Sequence, residues 1–162
     1  MTQKIIIAFS TTNDPFSWLL RATTFCRFSH TSLVIGEDVY EARLLSGVNK
    51  IPYSEFVNRV GKVKEYEIPV SSSQLLRIKE FSERQLGKPY DILGIVSFPF
   101  VNRNWQEDTK WFCSEYTVSS LMVSGVLEVE QEADGIDPRD LLLIVSNLYN
   151  ATEILNKENK YD

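Results

Sequence analysis

The chain contains a single histidine, His30, and only two cysteines, Cys26 and Cys113. One imidazole excludes any site built from several histidines, so every step that needs an imidazole must use His30. Neither cysteine stands in a Cys-x-x-Cys pair, which removes the usual zinc arrangements, and no metal is expected. Two thiols are too few for a disulfide framework and read as free thiols of a reducing compartment. No Gly-rich phosphate loop is present, so no nucleotide or other cofactor is implied. A net charge of −5 provides no basic field for a phosphate backbone, which disfavours nucleic acid as a partner. The apolar run at the start is shorter than a signal-peptide core, and no stretch reaches the roughly 20 apolar residues of a membrane span. A protein with no integral membrane segment is expected, either cytoplasmic or exported by a route the sequence does not show.

What is present suits one folded unit. The 162 residues are 43% hydrophobic and 12% aromatic, enough for a continuous core, and no linker or repeat divides them. A single domain over 1–162 is expected, with a polar, frayed tail from about 150. Ile5 to Phe9 reads as a buried strand, followed by a helix capped by Asp14 and begun by Pro15, with Phe16, Trp18, Leu19 and Leu20. Thr31 to Ile35 and Val39 to Ala42 read as a hairpin across Gly36-Glu37-Asp38, continued through the Ser46-Gly47 turn to Val48 and Ile51. Tyr53 to Arg59 suits a short helix and Lys62 to Ile68 a further strand. Ser71 to Ser73 offer caps for a helix with Leu75, Leu76, Ile78, Phe81 and Leu86 at helical spacing. Tyr90 to Phe98 is a second apolar segment and Asn102 to Lys110 a polar loop. Phe112 to Ser124 reads as a helix, and Asp137-Pro138 begins another short element. The pattern predicts an α+β fold with an antiparallel sheet.

The chemistry concentrates in two segments. His30 opens Phe-Ser-His-Thr-Ser-Leu-Val-Ile, and Cys113 lies in Lys-Trp-Phe-Cys-Ser-Glu-Tyr at the start of the predicted helix. A thiol at a helix N-terminus is favoured as thiolate by the dipole and the unpaired N–H groups, and a histidine is the usual base for it. The alternative is an ordinary packing cysteine, which Trp111 and Phe112 beside it would suit. A third group is needed to orient the imidazole, and Glu41, across the hairpin, is the candidate. If the hairpin closes at Glu37-Asp38, Glu41 stands opposite Val34, several residues from His30. A bulge, or a histidine lying before the paired region, is then required; otherwise Glu41 is a solvated edge residue. Glu115 lies on another side of the helix from Cys113, which favours a structural hydrogen bond. Cys26 reads as packing.

Taken together, His30-Thr31-Ser32-Leu33-Val34-Ile35, Val39-Tyr40-Glu41-Ala42, Gly87-Lys88-Pro89-Tyr90-Asp91 and Trp111-Phe112-Cys113-Ser114-Glu115 resemble the ordered motifs of the circularly permuted NlpC-type papain-like hydrolases. That superfamily includes permuted amidases of bacteria and phages and, more distantly, the lecithin retinol acyltransferases. The resemblance runs from about Ile5 to Leu143. It implies a permuted papain-like fold, with an antiparallel sheet packed against helices that include the nucleophile helix. It further implies Cys113 as nucleophile, His30 as base and Glu41 as the polar third member. Tyr90, at the Gly-x-Pro-Tyr position, would then line the substrate cleft, with core packing as the alternative. The activity implied is that of a thiol hydrolase, a cysteine peptidase or amidase. Its substrates would be a peptide, a peptidoglycan fragment or an acylated small molecule. An acyltransferase or (thio)esterase on lipid acyl groups is the first rival, and a catalytically silent binding or phage-structural domain the second.

Overall fold

A computed structural model of the chain describes residues 3–12, 17–18, 21–22, 26–91, 110–130, 133–148 and 150–154. Six strands form one antiparallel sheet: β1 (Gln3–Ser10), β2 (His30–Ile35), β3 (Asp38–Arg43), β4 (Gly47–Pro52), β5 (Val63–Val70) and β6 (Thr152–Ile154). Their order is β4-β3-β2-β1-β5-β6. Among the described residues four α-helices accompany them: α1 (Tyr53–Arg59), α2 (Ser72–Gln85), α3 (Cys113–Ser124) and α4 (Pro138–Asn147). The architecture is α+β.

β1 lies inside the sheet and is covered on both faces, which is why Ile5 to Phe9 is an unbroken apolar run. Ile5, Ile7 and Phe9 join the main core with Leu33, Tyr40, Ile68 and residues of α2, α3 and α4. Ala8 points the other way, into a small second core with Val34, Val39 and Phe56 of α1. The period-two alternation of a strand therefore sorts this one segment between two cores. α1 has no side-chain cap at its start and buries only Phe56. That fully buried ring anchors the helix to the sheet, and its removal would cost about 3–5 kcal/mol.

Side-chain capping sets the starts of α2 and α4. Ser71 Oγ accepts the Gln74 N–H of α2 while Gln74 Oε1 accepts the Ser71 N–H. Asp137 Oδ1 accepts the N–H groups of Arg139 and Asp140 at the head of α4.

Three expectations need correction. The β2–β3 hairpin turns on Gly36-Glu37, where Gly36 adopts φ 65°, so Val34 stands opposite Val39 and not Glu41. A glycine at the first turn position takes the left-handed conformation without penalty, and this shifts the closure by one residue from Glu37-Asp38. Residues from about 150 are not wholly a polar tail, because Thr152–Ile154 pair with β5, Ile154 opposite Glu65. Thirdly, β1 extends past Ile5 to Phe9 at both ends, and β5 starts at Val63, one residue after the expected Lys62, and runs two residues past Ile68 to Val70. The helix expected after Asp14 and Pro15 is described only at Ser17, Trp18, Arg21 and Ala22, which are helical. Phe16, Leu19, Leu20, most of the Tyr90–Phe98 segment and the loop before Lys110 lie outside the described residues.

One turn depends on a close backbone approach. Gly47, with φ 64°, begins β4, and a Cβ placed there would lie 2.2 Å from the Lys88 carbonyl oxygen. The space is used by hydrogen bonds from Val48 N–H to Lys88 O at 2.8 Å and from Gly87 N–H to Val48 O at 2.9 Å. They seat the Gly87-Lys88-Pro89 segment on the sheet, upstream of the cysteine helix.

Candidate active site

The site forms where two sheet strands part. β2 and β3 are paired from Leu33–Tyr40 to Ile35–Asp38, and their remaining residues pair outward instead, His30 with Ser10 of β1 and Glu41 with Asn49 of β4. His30 thus begins a strand and lies beyond the hairpin ladder, where its side chain can reach past its opposite position. Its Nε2 is 2.9 Å from Glu41 Oε2. Ser32 Oγ donates to the same oxygen at 3.4 Å. Glu41 is wholly buried, and His30 is 7% exposed.

Cys113 comes to this point from α3, which packs against both β2 and β3. It is the first residue of that helix, and its side chain lies close enough to His30 to act on the imidazole's protonation. With Nε2 turned to Glu41, Nδ1 is the nitrogen left for the thiol. The helix start is fixed by three buried or half-buried contacts. Glu115 Oε2 accepts the Phe112 N–H at 3.1 Å, Ser114 Oγ donates to Ile136 O at 2.7 Å, and Thr117 Oγ1 donates to Cys113 O at 2.9 Å. Thr117 also meets Thr31 of β2, Oγ1 to Oγ1 at 3.3 Å, which ties the helix to the histidine strand. Because the first N–H groups of a helix have no intrahelical acceptor, those of Cys113 and Ser114 are available to an anion beside the thiol.

The electrostatics follow from burial and partners. Burial presses the His30 pKa down, but the nearness and charge of Cys113, and the carboxylate of Glu41 that accepts the ring's hydrogen bond, raise it by more, to about 9. For Glu41, burial favours the protonated acid. His30, by hydrogen bond and charge, and then Arg59 and Arg43 by charge, outweigh it and hold the carboxyl below its ordinary value. Cys26 sits in the main core, where burial pushes its thiol up.

The structure therefore brings together His30, Glu41 and Cys113. Tyr90 is nearby in the chain's path but packed: it is buried, its ring lies 5.9 Å from that of Phe112, and its backbone forms a parallel bridge with Trp111. Arg59 was not legible as a site residue. Its Nη2 pairs with Glu41 Oε1 from the far end of α1. The only advance signal would have been the burial of Glu41, since a fully buried carboxylate calls for cationic or hydrogen-bonding partners.

No group of three or more His, Cys, Asp or Glu side chains among the described residues could hold a metal ion. No described helix is long and apolar enough to cross a membrane. No protein-family model matches the chain, and no curated protein does. Among solved structures it is similar to the one described as the metalloprotein YiiX from Escherichia coli O157:H7, DUF1105. The TM-score is 0.69 at 16% identity, covering 96% of this chain and 97% of that one, a likeness of fold across the whole domain.

Proposed function

We propose that this chain is a thiol hydrolase of the permuted papain-like type that cleaves an amide bond, in a peptide or a peptidoglycan fragment. The observation that carries the reading is the juxtaposition of Cys113, first residue of α3, with His30, whose Nε2 is hydrogen-bonded to buried Glu41. Support for the permuted arrangement comes from chain order, since the histidine and carboxylate strands precede the cysteine helix that packs on them.

In this mechanism Cys113 Sγ attacks the scissile carbonyl carbon as thiolate, its proton residing on His30. The carbonyl oxygen becomes an oxyanion beside the N–H groups of Cys113 and the following turn. Imidazolium then delivers its proton to the leaving nitrogen as the C–N bond breaks, and a thioester remains. Water, deprotonated by His30, attacks that thioester; the thiolate leaves and the carboxylic acid product is released. Glu41 holds the ring with Nε2 towards itself and stabilises the charged form throughout. The reacting groups lie below the surface, Cys113 being wholly buried, so a substrate must displace neighbouring groups to reach Sγ. Tyr90, packed beside Phe112, would contribute to the wall of that approach.

The test is turnover of chromogenic peptide, muropeptide and acyl-ester substrates by the wild type and Cys113→Ser. Amide cleavage lost in Cys113→Ser supports the proposal. Acyl-ester turnover or acyl transfer without amide cleavage would assign the site to lipid acyl chemistry. Inactivity on all three, with an unreactive Cys113, would make the domain a binding module.

A further inference from the structure

The two oxygens of Glu41 have different partners. Oε2 faces His30 Nε2 and Ser32 Oγ, whereas Oε1 is held by Arg59 Nη2 from the last turn of α1. Arg59 is partly exposed, its side chain 27% accessible, so it links a wholly buried carboxylate to the protein surface. Its other acidic neighbour, Glu55, is one turn earlier with 3.9 Å between Nη1 and Oε1 and is well exposed. A pair that long and that solvated competes weakly with a buried carboxylate.

We propose that Arg59 is a positioning residue of this site. It fixes Glu41 by one oxygen so that the other stays turned to His30, and its charge limits how firmly His30 keeps its proton. The inference rests on the Cys113–His30–Glu41 reading above. In the working state, thiolate, imidazolium, carboxylate and guanidinium follow one another with alternating sign. Without the guanidinium the remaining three carry a net negative charge in a buried place, and proton uptake becomes easier at every titrating member. An imidazolium stabilised further is a weaker acid towards a leaving amine, and acid catalysis works best with a pKa near the operating pH. Arg59, drawing on the same carboxylate, works against that excess. The charged groups that face this chain are Cys113 on α3, His30 on β2, Glu41 and Arg43 on β3, and Glu55 and Arg59 on α1.

Because the chain has one histidine, its imidazole can be titrated without ambiguity by NMR, and no substrate is needed. The experiment compares wild type, Arg59→Gln and Arg59→Lys in the full chain, each with a thermal melt. Arg59→Gln should raise the His30 midpoint by about half a unit or more, and Arg59→Lys, which keeps the charge, should stay within about 0.3 unit of wild type. Arg59→Met, which retains the aliphatic stem, takes the place of Arg59→Gln if the amide does not fold, with the same rise expected. A midpoint that is unmoved or lower on loss of the charge overturns the proposal, as does a Lys variant that shifts as far as the neutral one. Failure of the protein to cleave any substrate would refute the hydrolase reading and leave this titration unaffected.

Discussion

His30 Nε2 and Glu41 Oε2 are 2.9 Å apart although the two residues are not opposite one another in the sheet. The contact exists because β2 and β3 separate after Leu33 and Tyr40, which lets a diagonal pair close. The Glu41→Gln variant should therefore keep the fold and the ring orientation while stabilising imidazolium less. Turnover is expected to fall about 10- to 100-fold, with a stability loss of about 1–3 kcal/mol because Arg59 and His30 lose a charged partner. Paired urea melts and turnover assays check it, and unchanged turnover would remove Glu41 from the mechanism.

The two thiols should differ in reactivity against their accessibility. Cys26 is 7% exposed and Cys113 has no exposed surface, yet burial pushes the Cys26 thiol up, whereas Cys113 stands at a helix start beside His30. Limited iodoacetamide treatment at pH 6 should label Cys113 first, and the rate should drop at least tenfold in His30→Ala. Mass spectrometry reads both sites in one sample. Preferential labelling of Cys26 would favour the binding-module reading.

Folding stability should carry the signature of one raised histidine. The His30 pKa in the fold is about 9 against an ordinary 6.5, so the folded state binds the proton more tightly than the unfolded chain. The associated stabilisation, of order 3 kcal/mol, is complete below about pH 6.5 and is lost as pH rises through about 9. Urea melts of wild type and His30→Gln from pH 6 to 10 should show their difference shrinking by that amount. A difference independent of pH would mean that His30 takes up no proton from solvent on folding, being either neutral or charged by the Cys113 proton alone.

Gly47→Ala should destabilise the domain by about 2 kcal/mol or more, since it adds a left-handed alanine and a Cβ 2.2 Å from a backbone oxygen that is itself hydrogen-bonded. Gly36→Ala, at the same φ but with open space around it, should cost only the conformational part, about 1 kcal/mol. Equal losses in a denaturant series would show that the approach of Lys88 is unimportant.

The sequence was informative where local chemistry decides structure. Tyr53–Arg59, the Ser71 capping box and the Asp137-Pro138 helix start are all written in neighbouring residues. Register was less legible, because Gly36-Glu37 and Glu37-Asp38 are both acceptable turns and only the packing of Val34 against Val39 and Phe56 selects the first. β6 escaped notice because an edge strand needs no apolar face, only a partner with free backbone groups. Arg59 was invisible for a related reason: its role depends on Glu41 being buried, and that burial is a property of the parted strands and not of either segment alone. His30 and Cys113 were found by scarcity and by helix position, features that do not depend on tertiary structure.

The parallel bridge between Tyr90 and Trp111 bears on how such a domain can change over evolutionary time. Trp111 N–H bonds Pro89 O at 3.0 Å and Asp91 N–H bonds Trp111 O at 3.1 Å, so the stretch between them begins and ends at one fastened point. On one side that point is tied to β4 through Lys88, and on the other it runs directly into Cys113. Closing a longer chain segment on a fixed base adds only about 0.6 kcal/mol per doubling of length. The bonds that hold Trp111, two residues before Cys113, to Pro89 and Asp91 therefore set a base that a change of length between 92 and 109 need not alter. The seating of the nucleophile helix on the sheet and the length of the chain ahead of it can vary at separate rates.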